Sequence, residues 1–190
     1  TLDRSSAASD VYKRQVYVYA ASFHGKKLLA LGGNSGNPIF DWFIGRELNP
    51  RIGEFDIKTF NELRPGLILW ALLDISCVCH QYTKFGWVSD SIVLVTLFHI
   101  WYIVDSLINE STILTQMDIT TDGFGFMLSV GDLAWLPFTY CLQARFLAFH
   151  PIHLGWLGVL AILAVQFTGY YIFRVANLET VSYTHLRAHE

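Results

Sequence analysis

The sequence predicts an all-α fold, a polytopic bundle of transmembrane helices. Of its 190 residues, 53% are hydrophobic and only 15% are charged, whereas soluble domains average about 25% charged residues. The mean hydropathy is +0.37. Several stretches with few charges also approach the roughly 20 apolar residues that a helix needs to cross the hydrocarbon core of a bilayer. The chain is therefore predicted to have the lipid bilayer as its main partner.

The same composition excludes other classes of protein. A net charge of −3 provides no basic surface for phosphate, so we predict no nucleic-acid partner. The three cysteines do not form a disulfide framework, and Cys77 and Cys79, two residues apart on a predicted helix, point to different sides. We accordingly predict no disulfide between them and no metal site.

Four stretches of the interior are long and apolar enough to be predicted as membrane spans. The last is the clearest, because no Asp, Glu, Lys or Arg occurs between Arg145 and Arg174. The third contains Pro137, which is expected to kink a helix because it lacks a backbone N–H. In chain order the predicted spans are 65–81, 91–108, 124–149 and 154–173.

The two ends differ in character from these spans. Residues 1–15 and 180–190 are polar, carry mixed charge and resemble adapter-derived sequence, so we expect them to be non-native flanks. Natural polar termini are the alternative. Residues 16–179 are then predicted to be a fragment of a membrane domain.

The loops between the predicted spans indicate an orientation. The loops 32–64 and 109–123 and the residue Arg174 fall on one side of the membrane when the crossings are counted. Most basic residues of the interior lie on that side, so the positive-inside rule predicts that it faces the cytoplasm.

Ionisable residues within apolar spans are costly and are therefore functional candidates by default. Those near span ends, such as His80 and Asp105, are better explained as interfacial charges. Asp132 is deeper, and helical spacing places Tyr140 and Gln143 on its side of the same predicted helix. This stripe suits a polar pocket, with a polar seam between helices as the alternative. The full set is Asp74, His80, His99, Asp105, Asp132 and Arg145.

The segment 36–51, GNPIFDWFIGRELNPR, resembles the first signature of the sterol reductase family, from which only Phe40 departs. The resemblance continues through MDITTDGFGFM at 117–127, PFTYCLQAR at 137–145 and GYYIFRVAN at 169–177. The sequences MDITTDGFGFM and PFTYCLQAR are most similar to those of the fungal carbon-14 reductases. The family also comprises carbon-7 and carbon-24(28) reductases and the membrane part of the lamin B receptor.

The resemblance implies a multi-pass endoplasmic-reticulum enzyme of roughly ten spans, of which this chain is a fragment that we expect to be inactive alone. Its implied activity in sterol biosynthesis is NADPH-dependent reduction of the carbon 14–15 double bond, by proton and then hydride addition. Alternatives are a carbon-7 (7-dehydrocholesterol) reductase, a non-catalytic protein like the lamin B receptor, and a lipid-binding or transport protein. Cofactor contacts are expected mostly beyond the C-terminal end, with Arg174 and Asn177 as candidates.

Reduction of a ring alkene needs an acid, because a sterol has no carbonyl group to polarise. We predict that Tyr140 donates the proton, supported by Asp132 or Glu110. Aromatic residues near this acid are predicted to line the substrate site, although each can equally face lipid or the core. The predicted substrate-binding residues are Phe124, Trp135, Phe138 and Gln143.

Overall fold

Three helical stretches in the described part of the chain are long and apolar enough to cross a membrane: Ile57–Phe85, which has a turn at Arg64, Asp90–Ile108 and Gly155–Glu179. The computed structural model describes residues 2–25 and 27–187, with side chains described from 12 to 179 except at 26, 112, 113 and 115. The predicted all-α membrane class is confirmed, with one short hairpin as an addition. The predicted flanks 1–15 and 180–190 lie largely outside the described side chains and stay a prediction.

Helices account for most of the described backbone, and the strands β1 and β2 pair antiparallel in the hairpin. In chain order the elements are α1 (Leu2–Ala21), α2 (Pro38–Ile44), β1 (Arg51–Ile52), β2 (Phe55–Asp56), α3 (Ile57–Leu63), α4 (Pro65–Phe85), α5 (Asp90–Ile108), a 3-10 helix (Glu110–Thr115), α6 (Met117–Thr120), α7 (Phe126–Val130), a π-helix (Gly131–Trp135), α8 (Leu136–Tyr140), α9 (Leu142–Phe149) and α10 (Gly155–Arg187).

Three of the predicted spans overlap α4, α5 and α10, whereas the stretch 124–149 is divided in the structure. It consists of α7, the π-helix, α8 and α9, with a turn at Cys141. Pro137 cannot donate a backbone hydrogen bond and crowds the preceding turn. A π-helical turn directly before it widens the helix, a feature frequent at functional sites.

The described residues form two compact units, each with its own core. The first contains the residues up to Trp70 together with Gln116–Thr139. In it, α1 and α2 pack against α7, and α3 packs against the π-helix. Its core includes Leu63, Ile119 and Phe124.

The second unit contains Ala71–Thr115 and the residues from Tyr140 onward. Here α5 packs against α9 and α10, around small or branched side chains such as Ile92, Ala144 and Ala148. The carboxylate of Asp90, at the start of α5, accepts hydrogen bonds from the backbone N–H of Leu154 (3.0 Å) and Gly155 (3.1 Å). It therefore caps the N-terminus of α10, where backbone donors are otherwise unsatisfied.

Candidate functional site

A chain of three polar side chains joins α4, α5 and α9 within the second unit. Nδ1 of His99 lies 2.7 Å from Oδ2 of Asp74, and its Nε2 lies 2.9 Å from Oε1 of Gln143. Both ring nitrogens of His99 are thus engaged by side chains from two other helices. We call this set the α4–α5–α9 polar chain.

The polar chain runs from the inside of the unit to its surface. The Asp74 side chain is 0% exposed, His99 is 14% exposed, and Gln143 is exposed. A buried carboxylate is tolerated only when it is paired or hydrogen-bonded, and His99 provides that partner. The arrangement links a buried carboxyl group to an exposed amide.

A second, fully buried amide holds these helices in register. Nε2 of Gln81 donates to the backbone carbonyl of Leu147 at 2.7 Å and to Oγ of Ser89 at 3.2 Å. Its Oε1 accepts from the backbone N–H of Ser89 at 2.7 Å. Gln81 therefore ties α4 to the turn before α5 and to α9, which fixes the frame of the polar chain.

Tyr140 and Gln143, both predicted site residues, lie in this unit on either side of the turn at Cys141. Cys141 between them has helical dihedral angles (φ −78°, ψ −7°), and residues three apart on a helix are neighbours. Tyr140 is 50% exposed. The phenol is thus placed at an accessible position one turn from the end of the polar chain.

Two further predicted residues of this unit, Asp105 and Arg174, belong to a network between α5 and α10. Asp105 accepts a hydrogen bond from Oη of Tyr170 at 2.9 Å and lies 3.6 Å from Nη1 of Arg174. Nη2 of Arg174 donates to Oδ1 of Asn109 at 3.2 Å. Glu110 is the first residue of the 3-10 helix that follows α5. The network joins the ends of two spans.

The two predicted cofactor residues are occupied by internal contacts. Asp105 and Asn109 engage Arg174, while Nδ2 of Asn177 donates to the carbonyl of Phe173 at 2.8 Å. A guanidinium carries five N–H donors and an amide carries two, more than these contacts use, so the cofactor role of both residues stays a prediction.

Asp132, the predicted partner of Tyr140, lies in the first unit, so their pairing stays a prediction. It belongs to the π-helix, and its Oδ2 is buried without a hydrogen-bond partner among the described residues. Its backbone carbonyl packs where a Cβ on Gly66 would stand. Lys58, 0% exposed, donates to the carbonyl of Asp122 at 2.6 Å and is an electrostatic neighbour of Asp132.

The predicted aromatic residues of the site have different environments. Phe124 is 2% exposed and lines a cavity of about 690 Å³ in the first unit, together with Phe60 and Leu133. Trp135 and Phe138 are 66% and 55% exposed. Of the three, only Phe124 lines this cavity, and the substrate-binding role of all three stays a prediction.

The loop before and after α2 is held by a carboxylate and by close backbone contacts. Asp41 accepts hydrogen bonds from the hydroxyl and N–H of Ser35, at 2.7 and 2.8 Å. Burial alone would raise the pKa of Asp41, but these bonds, the N–H of Gly36 and the charge of Arg46 together hold it below its ordinary value. The backbone of Gly45 packs on the segment 123–125. The conformation of this loop is therefore fixed both by the hydrogen bonds of Asp41 and by backbone packing.

Metal chemistry has no support within the described part of the chain, where no group of three or more His, Cys, Asp or Glu side chains lies close enough to hold an ion. Within the same residues, Cys77, Cys79 and Cys141 form no disulfide.

The sequence identifies Asp74 and His99 as ionisable residues within predicted spans, but their contact was not predicted. A signal was available, because each is the tenth residue of its helix. Two such groups at mid-span in consecutive helices are expected to meet.

Comparison with known proteins identifies relatives of the chain. A model of the "Ergosterol biosynthesis ERG4/ERG24 family" matches residues 5–186. The Delta(14)-sterol reductase erg24 of Schizosaccharomyces pombe is 67% identical over 162 residues, which cover 85% of this chain and 38% of that protein. The Delta(14)-sterol reductase ERG24 of Saccharomyces cerevisiae is 56% identical over 172 residues, covering 85% of this chain and 39% of that protein.

A third relative, the Delta(14)-sterol reductase ERG24 of Candida albicans, is 56% identical over 154 residues, covering 80% of this chain and 34% of that protein. The chain thus spans less than two-fifths of the length of these three relatives.

Proposed function

The chain belongs to the ergosterol biosynthesis ERG4/ERG24 family, and from this membership we propose that the protein containing it reduces the carbon 14–15 double bond of a sterol. The observation that carries the proposal is the 67% identity to a protein named Delta(14)-sterol reductase. The two further relatives described above carry the same name. The carbon-7 and non-catalytic alternatives have no comparable support.

The proposed reaction adds a proton to one alkene carbon and a hydride to the other. NADPH is the proposed hydride source, and the endoplasmic-reticulum membrane is the proposed location. Arg174 and Asn177 remain the proposed cofactor contacts of this chain, and both also make hydrogen bonds within it. The mechanism below concerns only the proton.

Tyr140 is the proposed proton donor. Its half-exposed position allows access by a flat apolar substrate, and Gln143, predicted to lie on the same face, supplies a polar group. A phenol is a weak acid, with an ordinary pKa of about 10, so it needs groups that stabilise the phenolate left after proton transfer. Asp132 and Glu110 remain proposed as supporting groups, and Phe124, Trp135 and Phe138 as substrate contacts.

The test uses the full-length protein that contains this chain, expressed in cells that lack carbon-14 sterol reductase activity. Membranes are supplied with a carbon 14–15 unsaturated sterol and NADPH, and the products are identified by mass spectrometry. Tyr140→Phe is expected to lower kcat by about 100-fold or more, the usual contribution of general acid catalysis. Tyr82→Phe is the matched control, since Tyr82 is an exposed phenol on α4 outside the site, and its turnover should be unchanged.

The outcomes separate the parts of the proposal. Full turnover by Tyr140→Phe would show that another group donates the proton. A product that keeps its carbon 14–15 double bond would remove the substrate assignment, and equal rates without NADPH would remove the cofactor.

A further inference from the structure

We propose that the cavity between α5 and α10 binds the hydroxyl end of a sterol, at a site separate from Tyr140. The cavity has a volume of about 190 Å³ and lies within the second unit. It is lined by aromatic rings from both helices and by two polar side chains, Asp105 and Gln166. Binding here does not involve the sterol double bond, so the inference goes beyond the proposed reduction.

The cavity is formed in advance, because hydrogen bonds near both ends of α5 fix it against α10. Asp90 accepts from the backbone N–H of Leu154, and Asp105 accepts from Oη of Tyr170; these partners are 64 and 65 residues apart. The nearly constant separation means that the two helices run parallel and in register. Pre-formed cavities are the usual form of a binding site for a small ligand.

One oxygen of Asp105 can accept from a ligand. Its Oδ1 accepts hydrogen bonds from Oη of Tyr170 at 2.9 Å and from Nδ2 of Asn109 at 3.1 Å. Its Oδ2 accepts none from the described residues, since its ion-pair partner, Nη1 of Arg174, lies 3.6 Å away, beyond the range of a good hydrogen bond. A carboxylate oxygen only accepts, so the group that satisfies Oδ2 must be a donor.

Gln166 adds a second polar group to the same cavity. Its amide forms no hydrogen bond with another residue of the described chain, although it is the twelfth of the 25 residues in the span Gly155–Glu179. An amide at this depth in a bilayer is costly unless it is paired. Since the amide carries both donors and an acceptor, a ligand hydroxyl can donate to Asp105 and accept from Gln166.

The charge and shape of the cavity select among the lipids of a bilayer. A phosphate or a fatty-acid carboxylate has no donor for Asp105 and is repelled by it, and an acyl chain has no polar group. The positive charge of Arg174 does not reverse this preference, because it is paired with Asp105. A neutral alcohol supplies the donor. Among such lipids a sterol is favoured, because the exposed rings of Trp101 and Phe173 present flat surfaces to a rigid ring system.

Size and depth agree with a sterol whose polar end alone enters the cavity. A volume of 190 Å³ corresponds to about six water molecules at about 30 Å³ each, which is smaller than the usual site for a whole ligand. Asp105 lies three residues, or about 4.5 Å, before the end of α5, close to the level where the polar region of a bilayer begins. The remaining rings then extend along Trp101 and Leu97, which are exposed one turn apart.

The site lies on a different side of α5 from the polar chain. Trp101 is two residues beyond His99, and residues two apart on a helix do not face each other. His99 contacts Gln143 of α9, whereas Trp101 contacts Tyr170 of α10 at 5.6 Å between ring centroids. A sterol in the cavity is therefore not held at the residues proposed for the reaction.

The first experiment measures binding to the full-length protein in phosphatidylcholine nanodiscs. The probe is 5α-cholestan-3β-ol with a diazirine at carbon 6, a sterol without a ring double bond, and the labelled peptides are mapped by mass spectrometry. Saturable labelling is expected within 97–105 or 166–173. The 3-keto form of the probe accepts but cannot donate, so its half-saturating mole fraction should be about tenfold higher or more.

Asp105→Asn should reverse this preference. Tyr170 and Asn109 both donate to Oδ1, so the new amide is expected to keep its oxygen at this position and to place its NH₂ group where Oδ2 was. The site then offers a donor, and the ketone should label at least as well as the alcohol. An unchanged preference for the alcohol would overturn the inference.

Gly169→Leu fills the cavity without removing a polar group. A Cβ at Gly169 meets nothing within 4 Å, so the leucine side chain has room to enter and the fold should be kept. Labelling should fall about tenfold or more. Ala161→Leu is the matched control, a similar enlargement at an exposed position of α10 outside the cavity, and its labelling should be unchanged.

Two further results would overturn the inference. Equal labelling by alcohol and ketone in the wild-type protein, or full labelling of Gly169→Leu, would mean that the probe merely contacts the exposed aromatic surface. Displacement of the probe by diacylglycerol or ceramide as effectively as by unlabelled sterol would show that the ligand is another lipid alcohol. Because the probe has no double bond to reduce, the site and the proposed reduction are tested separately, and either can fail alone.

Discussion

Replacement of Gln81 by methionine tests whether the hydrogen bonds of Gln81 hold α4, α5 and α9 together around the polar chain. The side chain is 0% exposed, and its amide makes three hydrogen bonds, to the carbonyl of Leu147 and to the hydroxyl and N–H of Ser89. Methionine has similar length and good helix propensity. The change therefore removes the polar contacts with little change in volume.

The expected cost follows from the groups that are left behind. The N–H of Ser89 loses its acceptor, and the carbonyl of Leu147 loses the amide donor. A buried polar group without a partner costs about 1–3 kcal/mol. The two groups together predict a loss of roughly 2–6 kcal/mol in the free energy of unfolding.

The assay is thermal unfolding of the full-length protein in detergent, with Gln116→Met as the control. Gln116 is exposed and makes no side-chain capping bond to α6, so its replacement should leave the midpoint unchanged. Gln81→Met should lower the midpoint by about 4 °C or more. An unchanged midpoint in Gln81→Met would refute the argument, because the buried hydrogen bonds would then contribute nothing net.

Two further changes probe the loop around α2 in the first unit. Gly45→Ala should destabilise the protein by roughly 3 kcal/mol or more, because φ at Gly45 is +104° and a Cβ there would overlap the backbone of Gly123. Gly32→Ala is the control in the same thermal assay. It should be neutral, because the space around Gly32 is open. Asp41→Asn should lower the stability of the protein at neutral pH. It should also remove the part of the stability that the wild-type protein loses in acid as Asp41 becomes protonated. The lowered pKa of Asp41 means that the wild-type contribution is complete above the ordinary carboxyl pKa and is lost as pH falls through the lowered one. Thermal midpoints measured from neutral pH to about pH 3 would show parallel curves for both proteins if this reasoning is wrong.

The long helices were predictable because their signal is local. An uncharged run such as the one before Arg174 is costly in water and favourable in a bilayer, whatever the rest of the chain does. The stretch 124–149 shows the limit of that signal. Hydropathy reports only that the segment is apolar, while Pro137 and the π-helical turn at Gly131–Trp135 depend on backbone geometry.

The site was predictable only in part, because its contacts join helices that are distant in sequence. Helical spacing predicts that Tyr140 and Gln143, at positions i and i+3, lie on one face. It could not bring His99 to Gln143, which lies 44 residues away. Burial of Asp74 required a partner on physical grounds, but periodicity does not name the helix that supplies it.

The carboxylates of the described chain differ in how they are satisfied. Asp90 caps α10, and Asp105 is held by Tyr170 and Arg174. One oxygen of Asp74 is engaged by His99, while its other oxygen is buried without a hydrogen-bond partner among the described residues. Asp132 also has such an oxygen, in a π-helical turn that packs against α3. A carboxylate oxygen left in this condition costs stability, so substitution of Asp132 by asparagine should not destabilise the protein, and Asp132→Asn can be compared with Tyr140→Phe for turnover alone.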